Sequence, residues 1–327
     1  MKFLSAFIKT QGLAALIIFM ACSCASRQPE KAATTCDSCS EIATLMVQKK
    51  INGHSENYSM RWYDSQRPDA TRGVALVIHG LNLRPSKMES IIKVLTDSGI
   101  DSLNLSLCGH GENYDRSKYN DPARARLETF KCVTYELWIN EICAAYSAAR
   151  DRSVKKQVPL FFVGYSLGGL LGVDLLASRS DIQFDKMVLF APAIKMHYRN
   201  NIIRLLSPFP RLTIPSFTLA SYQSNNGTPM AAYNALFDAL KNFSANTGPK
   251  INVPTLVFID INDEIVSYCR LKQMAQDENL DQWRFYIVQK ESNEKPAKIH
   301  HLIIDAPSTG EHVWKDMMKA MVSHLHN

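Results

Sequence analysis

The chain has 327 residues, of which 46% are hydrophobic, and this is enough to bury the core of one large domain without a second one. Its net charge of +6 is not concentrated in any dense block of Lys and Arg, so we expect no nucleic-acid partner. The sequence contains no clustered metal-ligand motif and no glycine-rich dinucleotide fingerprint, and it therefore implies no cofactor.

The N-terminal residues 1–25 are typical of an export signal. Lys2 and Lys9 supply the positive charge, and the apolar stretch 12–21 that follows is too short to span a bilayer comfortably. We therefore expect this segment to direct the chain out of the cytoplasm.

Small residues and cysteines follow the apolar stretch and resemble the processing site of a bacterial lipoprotein. Cys22 is the expected lipidated residue, with Cys24 as the alternative, and ordinary cleavage near Ala25 would instead give a soluble exported protein. Residues 26–57 are polar and predict a tether. The expectation is an exported protein attached to a membrane of the cell envelope through its N-terminal cysteine.

Apolar segments alternate with helical patterns over the rest of the chain, residues 58–327. Strands are predicted at 58–63, 74–78, 101–107, 160–163, 187–191, 255–261 and 284–289. Helices are predicted at 87–97, 127–150, 170–177 and 311–325. Such alternation predicts an α/β fold with a mostly parallel central sheet flanked by helices.

One interval is too long for a single crossover between neighbouring strands. Residues 194–250 contain many apolar and aromatic side chains interrupted by prolines, and they predict a mainly helical cap insertion over the rim of the sheet. An apolar cap over a polar rim favours an apolar substrate.

A strand, a sharp turn and a helix are predicted around the motif Gly-x-Ser-x-Gly. The buried strand 160–163 leads into Gly164, Ser166 and Gly168, and an apolar helix follows. This context places the Ser166 hydroxyl on a strained bend above the sheet, where a nucleophile would be exposed. The backbone N–H of Leu167 opens the helix and could bind a developing oxyanion.

Four segments, in this order, resemble those of the α/β-hydrolase family, in particular its monoglyceride-lipase, lysophospholipase and carboxylesterase branch. They are His79-Gly80, Gly109-His110-Gly111, the elbow 164–169 and the acid loop 254–266. The resemblance covers residues 58–325 and implies the α/β-hydrolase fold. It also implies a second oxyanion donor, the backbone N–H of Leu81.

The resemblance implies a catalytic acid after the sixth predicted strand. In the family this acid stands nine residues beyond the proline, which here gives Asp263 after Pro254. Asp260 is the alternative, at a position where the family commonly has glycine, and Glu264 is expected to face solvent.

A histidine base is implied between the last strand and the closing helix, where His300 and His301 are adjacent. In the related lipases and esterases the base precedes an acidic residue by five positions, and counting back from Asp305 gives His300. A shift of the loop 291–299 would make His301 the base instead.

Taken together, the resemblance implies a serine hydrolase that cleaves carboxylic esters through Ser166, His300 and Asp263, with a lipid-like ester as substrate. A thioesterase or a peptidase on the same scaffold is the nearest alternative. A non-catalytic envelope lipoprotein is the alternative from another class, and it would be expected to lack a member of the triad.

Overall fold

A long, mostly parallel sheet forms the centre of the fold. The computed structural model describes residues 59–67, 70–117, 119–216, 218–290 and 298–327. Within these ranges the strands are β1 (Met60–Tyr63), β2 (Gly73–Ile78), β3 (Ile100–Leu105), β4 (Leu160–Tyr165), β5 (Lys186–Phe190), β6 (Thr213–Pro215), β7 (Gly227–Pro229), β8 (Thr255–Ile259) and β9 (Trp283–Ile287). Seven of them form one sheet in the order β1-β3-β2-β4-β5-β8-β9, in which only β1 is antiparallel to its neighbour. The predicted α/β class with a mostly parallel sheet is confirmed.

The predicted export signal (1–25) with Cys22, and the predicted tether (26–57), lie outside the described residues. All the described residues belong to one compact unit. Among them, none of the helices has the length and apolar character needed to cross a bilayer.

The central strands are buried on both faces, because helices cover the sheet from both sides. In β2, Val74 and Leu76 pack into one core cluster, while Ala75 and Val77 pack into the other. Every residue of β2 and β4 is buried. This two-sided burial explains why their sequences are continuous apolar runs rather than alternating ones.

The helices are α1 (Glu89–Asp97), α2 (Pro122–Phe130), α3 (Tyr135–Lys156), α4 (Leu167–Ser178), α5 (Met230–Asn246), α6 (Tyr268–Asp277), α7 (Ala306–Thr309) and α8 (Glu311–His326). Short 3-10 turns occur at Pro85–Met88, Tyr198–Leu206 and Pro249–Ile251. Helix α1 ends just before Gly99, whose φ of +91° stops the helix as predicted.

The single helix predicted at 127–150 is wrong, because two helices occupy this region. Helix α2 starts earlier, at Pro122, where the Asp121 side chain accepts hydrogen bonds from two N–H groups of the first turn. Thr134 has an extended backbone and caps the start of α3 by accepting from the Leu137 N–H. These two caps are local signals that the apolar periodicity alone does not register.

The predicted cap insertion contains three kinds of structure. Residues 198–206 form a 3-10 helix, β6 and β7 form a two-stranded antiparallel sheet, and α5 follows. Helix α5 packs against α4 and contributes buried side chains such as Leu236 and Phe243 to the main core. The residues between β5 and α5 are therefore the part that lies over the sheet rim.

We call the part between β5 and α5 the cap. Main-chain hydrogen bonds fix both of its ends to loops at the carboxyl edge of the sheet. We call residues 195–200 the cap stem and 222–225 the cap return. In the stem, Lys195 O accepts from Ser267 N at 2.8 Å, and His197 N donates to Ile265 O at 2.9 Å. In the return, Ser224 N donates to Asn82 O at 2.9 Å. The stem thus pairs with the loop after β8, and the return with the loop after β2.

Candidate active site

Ser166 occupies a strained bend between β4 and α4. Its φ of +49° is rare for a residue with a side chain, and such strain is typical of functional positions. The bend is held by the Ser166 N–H, which donates to Phe190 O at 2.9 Å. A Cβ at Gly168 would lie 2.3 Å from Ile78 O, so only glycine allows α4 to approach β2 this closely.

His301 is the histidine that faces Ser166. Its Nε2 lies 2.8 Å from Ser166 Oγ, and its Nδ1 lies 2.8 Å from Asp263 Oδ2 and 3.0 Å from Oδ1. With its proton on Nδ1, neutral His301 donates to the carboxylate and accepts from the serine hydroxyl. All three residues are buried, so water competes little for these bonds.

The prediction that His300 faces Ser166 is wrong. The His300 side chain leaves the same turn in another direction, where its Nδ1 lies 2.8 Å from Asp260 Oδ2. It is 30% exposed, whereas the His301 side chain is 6% exposed. The assumed spacing of five positions between the base and Asp305 is one residue too long. His301 stands four positions before Asp305, which caps α7.

Asp263 is held as an anion by its surroundings. Its Oδ1 accepts from the N–H groups of Ile265 and Val266, both at 2.8 Å. Burial alone would raise the pKa of this carboxyl, but the adjoining His301 and the two N–H donors outweigh burial and hold the pKa below its usual range. An ionised Asp263 can orient His301 and stabilise its protonated form.

The other two carboxylates of the acid loop, Asp260 and Glu264, are also engaged. Asp260 pairs with His300 and accepts from the Asn262 N–H at 2.8 Å. The expectation that Glu264 faces solvent is wrong, since its two oxygens accept from the N–H groups of His300 and His301, each at 2.9 Å. Nothing in the local sequence marks Glu264 for this contact, which joins two loops distant in the chain.

Two buried histidines shape the loop after β2, residues 79–84, which we call the oxyanion loop. His79 Nδ1 donates to Gly80 O at 2.8 Å, and its Nε2 accepts from the Leu107 N–H at 3.1 Å. Burial lowers the pKa of His79 to about 4, so the ring is neutral and can accept as well as donate. His79 therefore has a structural place in the loop rather than a place beside Ser166.

His110 acts in the same way from the Gly109-His110-Gly111 segment. Its Nε2 accepts from the Asn82 N–H at 3.0 Å, and burial, followed by the neighbouring His79, keeps its pKa well below the usual value. Asn82, with a φ of +54°, is tied to the cap return by reciprocal hydrogen bonds with Asn225, both at 2.9 Å. The oxyanion loop is thus held from below by two histidines and from above by the cap.

The backbone N–H groups of Leu81 and Leu167 remain available at this place. Within the described part of the chain, neither is engaged in a hydrogen bond to a protein acceptor. Leu167 is the first residue of α4, where an N–H has no partner inside the helix. A Cβ on Gly80 would lie 3.2 Å from Ser166 Cβ, so the oxyanion loop lies directly against the serine. This arrangement can bind a negative charge that develops on an oxygen of a group bonded to Ser166 Oγ.

The described residues contain no group of three or more His, Cys, Asp or Glu side chains placed to hold a metal ion. The structure thus brings together Ser166 and Asp263 of the predicted site, with Leu81 and Leu167 nearby. It leaves His300 outside and puts His301 in its place.

Replacing Asp263 by asparagine is expected to reduce turnover by roughly 10³- to 10⁴-fold, because an amide cannot hold His301 in the same tautomer or stabilise its cation. Asp260→Asn is the matched control, since Asp260 contacts His300 instead. We expect it to keep most of the activity on the same substrate. If Asp260→Asn were the more damaged enzyme, the assignment of the acid would be refuted.

The fold and the site define the class of protein. A mostly parallel seven-stranded sheet, a nucleophile elbow after β4, an acid after β8 and a histidine after β9 are the features of an α/β-hydrolase. A family model described as serine aminopeptidase, S33 matches residues 69–242, and the chain belongs to this family. The predicted resemblance to α/β-hydrolases is confirmed, and the protein is a hydrolase by class.

Solved structures with the same fold include several lipolytic enzymes. A soluble variant of monoglyceride lipase from Saccharomyces cerevisiae has a TM-score of 0.65 at 14% identity, over 83% of this chain and 92% of that one. A metagenome-derived lipolytic enzyme has a TM-score of 0.60 at 15% identity, over 84% and 99%. The monoacylglycerol lipase of Paleococcus ferrophilus has a TM-score of 0.57 at 15% identity, over 81% and 98%. No curated protein matches the sequence.

Proposed function

We propose that the protein is a serine hydrolase that cleaves carboxylic esters through an acyl-enzyme. The observation that carries this proposal is the continuous chain of hydrogen bonds from Ser166 Oγ through His301 to Asp263, with lengths of 2.8 Å on both sides of the imidazole. A serine hydroxyl is a weak nucleophile at neutral pH, and a base in contact with it is what nucleophilic catalysis requires.

The reaction follows from this geometry. Ser166 Oγ attacks the ester carbonyl carbon while its proton passes to His301 Nε2, and Asp263 stabilises the imidazolium that results. The carbonyl oxygen becomes an oxyanion, which the N–H groups of Leu81 and Leu167 bind; one such donor is worth roughly 3 kcal/mol in the transition state. His301 then gives its proton to the leaving alcohol. Water attacks the acyl-enzyme by the same route in reverse and releases the acid.

A lipid-like ester is the substrate class that the cap favours. Exposed apolar side chains lie close together in its sequence: Tyr198, Ile202, Leu205, Phe209 and Leu212. Leu205 is the most exposed of them at 76%, and several exposed apolar side chains in one segment are typical of a surface that meets an apolar partner. Two of the structures with the same fold are monoglyceride or monoacylglycerol lipases, which agrees with this choice.

Amide cleavage is the second candidate, because the family model bears the description of an aminopeptidase. An aminopeptidase must bind the positive N-terminus of its substrate, and a carboxylate beside the nucleophile is the usual partner for such a charge. The three carboxylates of the acid loop are instead bound to His300, His301 and their backbone N–H groups. Because these carboxylates are already engaged, an ester is favoured over a peptide as the substrate.

The function is tested by fluorophosphonate labelling and by a panel of p-nitrophenyl esters with short to long acyl chains, compared with aminoacyl p-nitroanilides. We expect labelling at Ser166, hydrolysis of the esters with a preference for longer chains, and little release of nitroaniline. Absence of labelling in the folded protein would refute the hydrolase mechanism and favour a non-catalytic binding protein. Faster turnover of the anilides would favour the peptidase.

We also propose that the mature protein begins at a lipidated Cys22 and is held at a membrane of the bacterial cell envelope. The motivation is the positive and apolar N-terminus followed by a cysteine. Mass spectrometry of the mature N-terminus checks this, with a diacylated or triacylated Cys22 as the expected result. An unmodified N-terminus near Ser26 would show a soluble exported protein instead. A single acyl chain alone binds a membrane only marginally, and lipid together with the basic surface of a chain of net charge +6 would make the attachment firm.

A further inference from the structure

His301, the histidine that faces Ser166, lies on a tight turn beside a second histidine, His300. We call residues 299–302 the histidine turn; it is closed by the Leu302 N–H, which donates to Ile299 O at 3.0 Å. The two central side chains diverge, His301 toward Ser166 and His300 toward Asp260. A small rotation of this turn would therefore move the base away from the nucleophile.

One carboxylate holds the N–H side of the histidine turn. Glu264 Oε1 accepts from the His300 N–H and Oε2 accepts from the His301 N–H, both at 2.9 Å. Two parallel bonds to a planar, charged group fix an orientation as well as a distance. The Glu264 main chain is itself fixed, since its carbonyl accepts from Arg199 Nη2 at 3.1 Å.

One ammonium holds the carbonyl side of the same turn. Lys290 Nζ donates to Ile299 O at 2.6 Å and to Leu302 O at 2.7 Å. Burial lowers the pKa of Lys290 to about 8, partly opposed by Asp260 and Glu264, so the group is still a cation at neutral pH. The carbonyl of His301 receives a further bond from the Tyr165 hydroxyl at 3.2 Å.

An anion thus binds the two N–H groups of the turn and a cation binds the carbonyls at its two ends. We propose that Glu264 and Lys290 are positioning residues for the reaction: they fix the main chain of the histidine turn so that His301, and not His300, faces Ser166. Neither side chain contacts Ser166 or the proton that moves. The inference rests on the proposed function, because it concerns the same base and nucleophile.

The first test is Glu264→Gln. Glutamine has a single acceptor oxygen, and its NH₂ would face an N–H donor of the turn, so one of the two bonds is lost while the size is kept. We expect kcat to fall roughly 10- to 100-fold with KM unchanged, as follows from a misplaced base. The matched control is Glu112→Gln, which removes an exposed carboxylate paired with Arg116 and should leave kcat unchanged.

A simple loss of stability is separated from positioning by counting active sites. Exhaustive fluorophosphonate labelling gives the fraction of molecules with a competent Ser166, and kcat is divided by this fraction. Partial unfolding lowers the labelled fraction and leaves kcat per labelled site at the wild-type value. A misplaced base lowers kcat per labelled site and slows the rate of labelling.

The second test uses Lys290→Met, which keeps the apolar stem and removes the two bonds to the carbonyls. It should lower kcat per labelled site in the same direction as Glu264→Gln. Because both residues hold one turn, the double variant should lose less than the product of the two single losses. If Glu264→Gln gives no folded protein, the Lys290→Met variant decides alone.

A wild-type kcat per labelled site in Glu264→Gln, or in Lys290→Met, would overturn the inference for that residue. Fully multiplicative losses in the double variant would show two independent effects and overturn the idea of a shared turn. These outcomes differ from failure of the proposed function, in which the wild-type protein itself would neither react with the fluorophosphonate nor cleave esters.

Discussion

Replacing Ser166 by alanine is expected to reduce ester hydrolysis by about 10⁴-fold or more, because the variant has no oxygen to form the acyl-enzyme. The oxyanion loop and the cap do not depend on the hydroxyl, so substrate binding should persist. Turnover of a p-nitrophenyl ester, measured on the purified protein, checks the expectation.

The control for Ser166→Ala is a measurement of its thermal unfolding, which shows whether the variant is folded. Alanine has the same Cβ as serine, and the bend at residue 166 already has a positive φ in the native chain, so we expect little change in the midpoint of thermal unfolding. Fluorophosphonate labelling should disappear together with activity. Normal turnover by a folded Ser166→Ala protein would rule out Ser166 as the nucleophile.

His301→Ala should bring turnover close to the level of Ser166→Ala, since residues that act as one unit fail together. The reason is geometric: of the two adjacent histidines, His301 contacts Ser166 Oγ, through Nε2 at 2.8 Å, whereas His300 contacts Asp260. His300→Ala removes a partly exposed imidazole bound to Asp260 and should retain substantial turnover.

This pair of variants is a sharp comparison, because the two residues are identical in type and adjacent in sequence. Both proteins should be assayed on one ester after their folding has been verified by circular dichroism. A severe loss in His300→Ala with near-normal turnover in His301→Ala would show that the turn has another register in solution.

The strands and the elbow follow from local sequence because their signals are local. A buried strand is a short apolar run whichever helices cover it, and β2, β4, β5 and β8 are all found within about two residues of their predicted bounds. The helical pattern does not reveal the break between α2 and α3, because the cap is a single side chain, Thr134, and the pattern continues on both sides of it.

The choice between His300 and His301 depends on contacts that no local pattern contains. Counting from Asp305 assumes a fixed spacing to the closing helix, whereas the spacing is set by where α7 is capped. The contacts of Glu264 and Lys290 with the histidine turn join residues separated by up to 37 positions, so they depend on the tertiary fold and not on any local pattern.

The attachment of the cap has a consequence for exchanging parts between relatives. Its stem shares main-chain hydrogen bonds with the acid loop at His197, and its return shares them with the oxyanion loop at Ser224. Chimaeras that join a foreign cap inside these two segments would cut bonds that shape the catalytic centre. The smallest module that can be transplanted intact is therefore the cap together with both loops, and substrate preference and turnover would be inherited as one unit.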